Sequence, residues 1–163
     1  MPVEVYRIDD RLIHGQVVVG WGQPLDIGFI VLVDDAVAAS DWEQDLYRMG
    51  VPPGTAVSFL DVERAVAEMP AWQADRRKGL VLTGDIDTMR RFTAAAPAVR
   101  AVNLGGVHHA PGRVQRLRYL FLSPSEESAL RAIAATGVTI TAQDVPGSRP
   151  VPLDHVLAGT DPS

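Results

Sequence analysis

The chain of 163 residues has no cysteine. That absence excludes disulfides, thiol nucleophiles and cysteine-ligated zinc. It leaves no mark of an oxidising compartment, so the cytoplasm is the expected location. An excess of positive charge is also missing. Lys and Arg number 15 against 20 Asp and Glu, a formal net charge of -5. Nucleic-acid-binding domains are usually basic, so no nucleic-acid partner is expected. No apolar run approaches the roughly 20 residues of a membrane span. No basic segment followed by an apolar core opens the chain, so no secretory leader is expected. What remains is an ordinary soluble composition, 47% hydrophobic and 21% charged. The length suits one domain over residues 1–163 with a sizeable core of its own.

Short apolar runs alternate with amphipathic ones. Strands are predicted over Val3 to Ile8, Ile27 to Val33, Thr55 to Leu60, Gly79 to Thr83, Val99 to Leu104, Arg118 to Leu122 and Val138 to Ala142. Helices are predicted from Ser40, which caps with Glu43 three positions on, to about Met49; from Asp61 to Met69; and from Asp85 to Ala96. A further helix opens at Ser123-Pro124-Ser125-Glu126 and ends at Gly137, and Pro152 to Leu157 adds a short one. His14 to Trp21 has the pattern of a helix start weakened by Gly15, Gly20 and Gly22. Trp72 to Lys78 reads as a polar connection and Gly105 to Gln115 as a loop. The alternation predicts an α/β fold: a doubly wound, mostly parallel sheet of about seven strands with helices on both faces, a three-layer α/β/α sandwich.

In such a sheet ligands bind outside the carboxyl ends of the strands. Four loops gather there: Asp9 to Gln16, Asp34-Asp35, Thr83-Gly84 and Gly105 to His109. The first is the richest, Arg7-Ile-Asp-Asp-Arg-Leu-Ile-His-Gly-Gln16, with two arginines, two aspartates and a histidine within eight positions. A neutral imidazole at His14 is a nucleophile, and the planar forks of Arg7 and Arg11 match phosphoryl oxygens. Gly15 and Gln16 stand where a helix N-terminus would favour an anion. Asp9 or Asp10 is placed to hold the imidazole's other nitrogen. The alternative is that Arg7, Asp9, Asp10 and Arg11 pair among themselves and close the loop.

Thr83-Gly84-Asp85 has the parts of a phosphate cradle, and equally of a plain helix cap. Gly105-Gly106 is a close-approach turn or an ordinary one. His108 and His109 invite a metal reading with His14, but adjacent histidines point apart and no carboxylate stands at a ligand spacing, so no metal or other cofactor is expected. Asp34 and Asp35 either hold Mg²⁺ or cap the next helix. Trp21 reads as core or rim packing. Arg113 and Arg116 join Arg7 and Arg11 as basic groups near the loop.

The run Arg7 to Gln16, followed by Trp21, resembles the signature of the IIB component of bacterial sugar phosphotransferase systems, in the mannose/fructose/sorbose family. Ile30-Val-Leu-Val-Asp-Asp-Ala-Val-Ala-Ala39, Met49-Gly-Val-Pro-Pro-Gly54 and Val102-Asn-Leu-Gly-Gly106 extend the likeness over about residues 3 to 158. The resemblance implies a cytoplasmic phosphocarrier. It takes a phosphoryl group from a histidine of a IIA component and passes it to a sugar entering through membrane components IIC and IID. By position the acceptor is His14, with Arg11 and Arg7 steadying the group and Asp10 holding the loop. Read from the residues themselves, Gly15, Gln16, Thr83 and Gly84 are the candidate phosphoryl-binding positions. Two places depart from the family pattern. Gly84 stands where many members carry Asn-Pro, and His108-His109 where relatives carry apolar or small residues. Two other readings stay open: a binding or regulatory module that holds a phosphorylated ligand or partner, and a hydrolase using His14 with Asp9 or Asp10. The sugar and the oligomeric state are not written in the sequence.

Overall fold

The computed structural model describes residues 3–13 and 18–158. In chain order its strands are β1 (Val3–Ile8), β2 (Ile27–Val33), β3 (Ala56–Leu60), β4 (Lys78–Thr83), β5 (Ala101–Leu104), β6 (Val114–Leu117), β7 (Leu120–Leu122), β8 (Thr139–Ala142) and β9 (Val151–Pro152). The helices are α1 (Asp35–Ala38), α2 (Asp41–Arg48), α3 (Val62–Ala74), α4 (Ile86–Ala95), α5 (Pro124–Ala135) and α6 (Leu153–Leu157), with one π-helical turn at Val18–Gly22. Seven strands form one sheet in the order β3-β2-β4-β1-β5-β8-β9. All its pairings are parallel except that of β9 with β8.

The continuously apolar central strands are explained by cover on both faces, as parallel sheets require. Along β2, Phe29, Val31 and Val33 join one cluster and Ile30 and Leu32 the other. β4 does the same, with Val81 on the first face and Leu80 and Leu82 on the second. The first face packs against α3, α4, α5 and α6 through Met69, Trp72, Phe92, Leu130, Ile133 and Val156. The second packs against the π turn and α2 through Val18, Trp21 and Tyr47.

Several helix starts follow the sequence. Ser40 accepts from the Glu43 amide, Asp61 from Arg64, and Ser123 forms a full capping box with Glu126. Four details differ. A short helix not expected between β2 and α2, α1, is capped by Asp34, which accepts from the Val37 amide. α3 does not stop at Met69 but runs through Pro70 to Ala74. An interior proline costs about 3 kcal/mol, and burying Met69 and Trp72 at roughly 1.5–3 kcal/mol each offsets it. The strand expected over Arg118 to Leu122 is the second arm of a hairpin, β6–β7, turning at Arg118 and Tyr119 outside the main sheet. The seventh strand of the sheet is instead the short antiparallel β9, which precedes α6.

β1 lies between β4 and β5. Its connection leaves toward the second face, while those of β4 and β5 leave toward the first. This divergence makes the carboxyl end of β1 the topological switch point, the place where doubly wound sheets bind ligands.

Candidate functional site

The loop after β1 is fastened to both neighbouring strands. The Asp9 amide donates to the Thr83 carbonyl at 2.9 Å, the Gly105 amide to the Ile8 carbonyl at 2.7 Å, and the Asp10 amide to the Gly106 carbonyl at 2.9 Å. Leu12 takes φ +55°, left-handed backbone uncommon for a bulky residue, as its amide turns back to the Asp9 carbonyl at 3.0 Å.

Asp9, fully buried, is the centre of the loop. Its Oδ2 accepts from Arg7 Nη2 at 2.9 Å and from Arg11 Nη2 at 2.7 Å. Its Oδ1 accepts from the Arg11 amide at 3.1 Å and Arg11 Nε at 2.8 Å. Burial alone would raise this carboxyl, but the hydrogen bonds and charges of Arg11 and Arg7 outweigh it and hold it below its ordinary value. Arg11 is raised in turn, chiefly by its hydrogen bonds to Asp9. It remains 18% exposed, and Nη2 also lies 3.6 Å from Asp144 Oδ1.

Arg7 corrects an expectation. The sequence pattern makes it a phosphoryl-facing cation, but it is completely buried. Its Nη1 donates to Asn103 Oδ1 and, at 2.9 Å, to the Gln143 carbonyl; its Nη2 donates to the Asp144 carbonyl at 3.0 Å as well as to Asp9. Trp21 covers the guanidinium, with Cζ 4.3 Å from the ring centroid, and its own Nε1 donates to the same Asp144 carbonyl at 3.0 Å. Desolvation lowers Arg7, and the Asp9 charge opposes the shift. Arg7 therefore acts as a buried strut that aims Asp9, and through it Arg11.

Asp10 meets a partner that the sequence did not suggest. Its Oδ2 accepts from the His108 amide at 2.7 Å, and His108 Nδ1 lies 2.6 Å from its Oδ1. Asp10 thus ties the loop after β1 to the loop after β5. His109 turns away from its neighbour and sets its edge against Phe121, 5.5 Å between centroids. No cluster of three or more potential metal ligands occurs among the described residues.

The phosphate-cradle reading of Thr83 and Gly84 is also corrected. Thr83 is fully buried, and its hydroxyl donates to the Asp85 carbonyl at 3.1 Å. The Leu12 side chain fills the space beside Gly84: a Cβ there would lie 2.6 Å from Leu12 Cδ2. The Asp85 carboxylate accepts from the Thr88 amide at 2.7 Å, so a negative charge already occupies the start of α4. The junction is a helix cap. Asp34 and Asp35 are likewise committed. Asp34 caps α1, and Asp35 accepts from the Val62 amide at 3.2 Å and Arg91 Nη1 at 2.8 Å. Arg113 and Arg116 do not add a basic patch, because Glu126 and Glu127 pair with them at 2.8 and 2.7 Å. His14, Gly15 and Gln16 lie outside the described residues.

Sequence reasoning missed Asn103, Gln143 and Asp144. The available signal was topological. Parallel strands put all their carboxyl ends on one edge, so Gln143-Asp144 after the last parallel strand belonged with the other loops.

A profile of the family described as PTS system sorbose subfamily IIB component matches residues 3–161. The chain belongs to this family of phosphotransferase-system IIB components. It is 31% identical over 146 residues to the N-acetylgalactosamine-specific phosphotransferase enzyme IIB component 1 of Escherichia coli K12, covering 88% of this chain and 90% of that one. It is 29% identical to the mannose-specific EIIAB component of the same organism, covering 89% of this chain and 45% of that longer one. The crystal structure of the IIB domain of the sorbose permease from Klebsiella pneumoniae superposes with a TM-score of 0.87 at 27% identity, covering 100% of both chains. The protein is therefore a IIB-type sugar phosphotransferase of the mannose/fructose/sorbose family. No helix of its described residues is long and apolar enough to cross a membrane.

Proposed function

We propose that His14 accepts a phosphoryl group from a phosphohistidine of a IIA component and passes it to a sugar hydroxyl as the sugar enters through membrane components IIC and IID. The protein works in the cytoplasm and meets the membrane only through these partners. In the first step the lone pair of a His14 ring nitrogen forms an N–P bond. The donor's N–P bond breaks and its electron pair returns to the donor imidazole. In the second step the sugar oxygen attacks phosphorus, the His14 N–P bond breaks, and the hydroxyl proton ends on the released imidazole or in solvent.

The observation that supports this reading most is the partly exposed Arg11 fork, held in one orientation by buried Asp9 and three positions before His14 in the sequence. Phosphoryl transfer asks a protein mainly for positioning and charge stabilisation, and a pre-aimed guanidinium supplies both. Gly15 and Gln16, next to the acceptor, bind phosphoryl oxygens in this reading. Asp10 holds the loop and Arg7 supports Asp9 from below. The donor assignment draws on the EIIAB relative, whose name joins an A to a B component in one chain.

The test is covalent labelling. Wild type and His14→Ala are incubated with phosphoenolpyruvate, the general phosphotransferase proteins and a IIA domain, then weighed intact. One acid-labile phosphoryl group on the wild type and none on the mutant is expected. No label on wild type beside a phosphorylated donor would favour the binding-module reading instead, and a label retained by His14→Ala would move the acceptor elsewhere.

A further inference from the structure

We propose that Asp144 is a positioning residue that competes with the phosphoryl group for Arg11, and so keeps the group loosely enough held to be passed on. The inference rests on the carrier reading above. Asp144 sits just past β8, and its main chain is fixed: its carbonyl accepts from Arg7 Nη2 and from Trp21 Nε1, each at 3.0 Å. The turn beyond it is closed by Gln143 Nε2, which donates to the Pro146 and Ser148 carbonyls at 3.1 and 2.8 Å. Its side chain is left 42% exposed, with Oδ1 3.6 Å from Arg11 Nη2.

That distance is an ion-pair contact too long for a direct hydrogen bond. The Asp144 carboxylate therefore adds negative potential at Arg11 without taking over its fork, which Asp9 holds. A dianionic phosphoryl group approaching Arg11 meets this charge as repulsion. A carrier must accept a group and then release it, so binding that is too tight at the intermediate stage slows the second transfer.

The division of labour inside the residue makes the idea testable. The carbonyl does the structural work and the carboxylate supplies the charge, so Asp144→Asn removes the charge and keeps the scaffold. A structural defect would lower phosphoryl acceptance, whereas loss of a competing charge raises it. The experiment measures the equilibrium between the IIA domain that labels the wild type and the IIB chain, from phosphorylated fractions by intact mass approached from both sides. Asp144→Asn is expected to shift the constant about 3- to 10-fold toward phosphorylated IIB, with a smaller shift at high salt. Asp144→Ser must shift it the same way. An unchanged or lowered constant in either variant, with melting and backbone spectra like wild type, overturns the proposal while the carrier reading stands. A wild type that accepts no phosphoryl group overturns both.

Discussion

The Trp21 ring covers the guanidinium of Arg7, and both donate to the single main-chain carbonyl of Asp144. A π-helical turn, the first strand and the end of β8 are thereby joined around one buried cation. Stacking of a desolvated guanidinium on an indole contributes about 2 kcal/mol, and the indole hydrogen bond about 1 kcal/mol more. Trp21→Phe is expected to lose about 1–2 kcal/mol in urea unfolding. A loss below about 0.5 kcal/mol would mean that the indole N–H contributes little.

Asp9→Asn should be among the most damaging changes in the loop. It leaves Arg7 buried with its ion pair broken, for which about 3–5 kcal/mol is expected. The pH dependence carries the same signature. The folded Asp9 carboxyl lies below its ordinary value of 3.8, so the unfolded chain binds the proton more readily. Its contribution is full above that ordinary value and is lost as pH falls through the lower folded value. Denaturation curves of wild type below about pH 4 should steepen relative to Asp9→Asn; parallel curves would remove Asp9 from the acid response.

Gly105→Ala tests the tightness of the packing. An added Cβ would lie 2.3 Å from Arg7 Nη2 and 2.7 Å from Asp9 Oδ2. Neither atom is the loose end of a free side chain, since each is held by the buried pair. Overpacking of this kind costs about 1–3 kcal/mol, and phosphoryl acceptance should fall with stability. A variant as stable as wild type would show that the β5 turn yields more easily than its contacts imply.

Arg11→Lys preserves the charge and discards the fork. Lysine cannot reproduce the paired Nε and Nη2 donors that grip both Asp9 oxygens at 2.8 and 2.7 Å. Transfer from the IIA domain, followed by rapid quench, should slow about 10-fold or more, and stability should fall by about 1–3 kcal/mol as buried Asp9 loses a guanidinium donor. An unchanged rate would take Arg11 out of the transfer step.

Asp10→Ala should release the loop after β5. The His108 amide loses its 2.7 Å acceptor, and hydrogen exchange at that amide is expected to quicken about tenfold, with core amides of β1 and β4 unaffected. Unchanged exchange would show that Arg113, donating to the His108 carbonyl at 2.8 Å, holds the loop by itself.

The limit of β2 was legible because its apolar run ends abruptly at a charged residue, Val33 at Asp34. The caps at Ser40, Asp61 and Ser123 were legible for a similarly local reason, a short polar side chain accepting from the backbone three residues on. The β6 arm was hidden because Val114-Gln-Arg-Leu117 is brief and half polar, and its pairing with β7 shows only in three dimensions. Within the site, self-pairing of Arg7, Asp9 and Arg11 was one of the two readings open. Choosing between Arg7 as strut and Arg11 as exposed fork required Asn103, Gln143 and Asp144, which stand 96 to 137 positions from Arg7 along the chain.

The two-residue strand β9 runs against the direction of its neighbours and ends in a proline. A parallel edge at β8 would offer an open row of amides and carbonyls to any extended segment. β9 covers that row where Val151 and Pro152 face Ala142 and Thr141, and Pro152 has no amide hydrogen to donate outward. The brief strand therefore acts as a terminator: it completes the sheet on that side and denies it a template for growth from one molecule to the next.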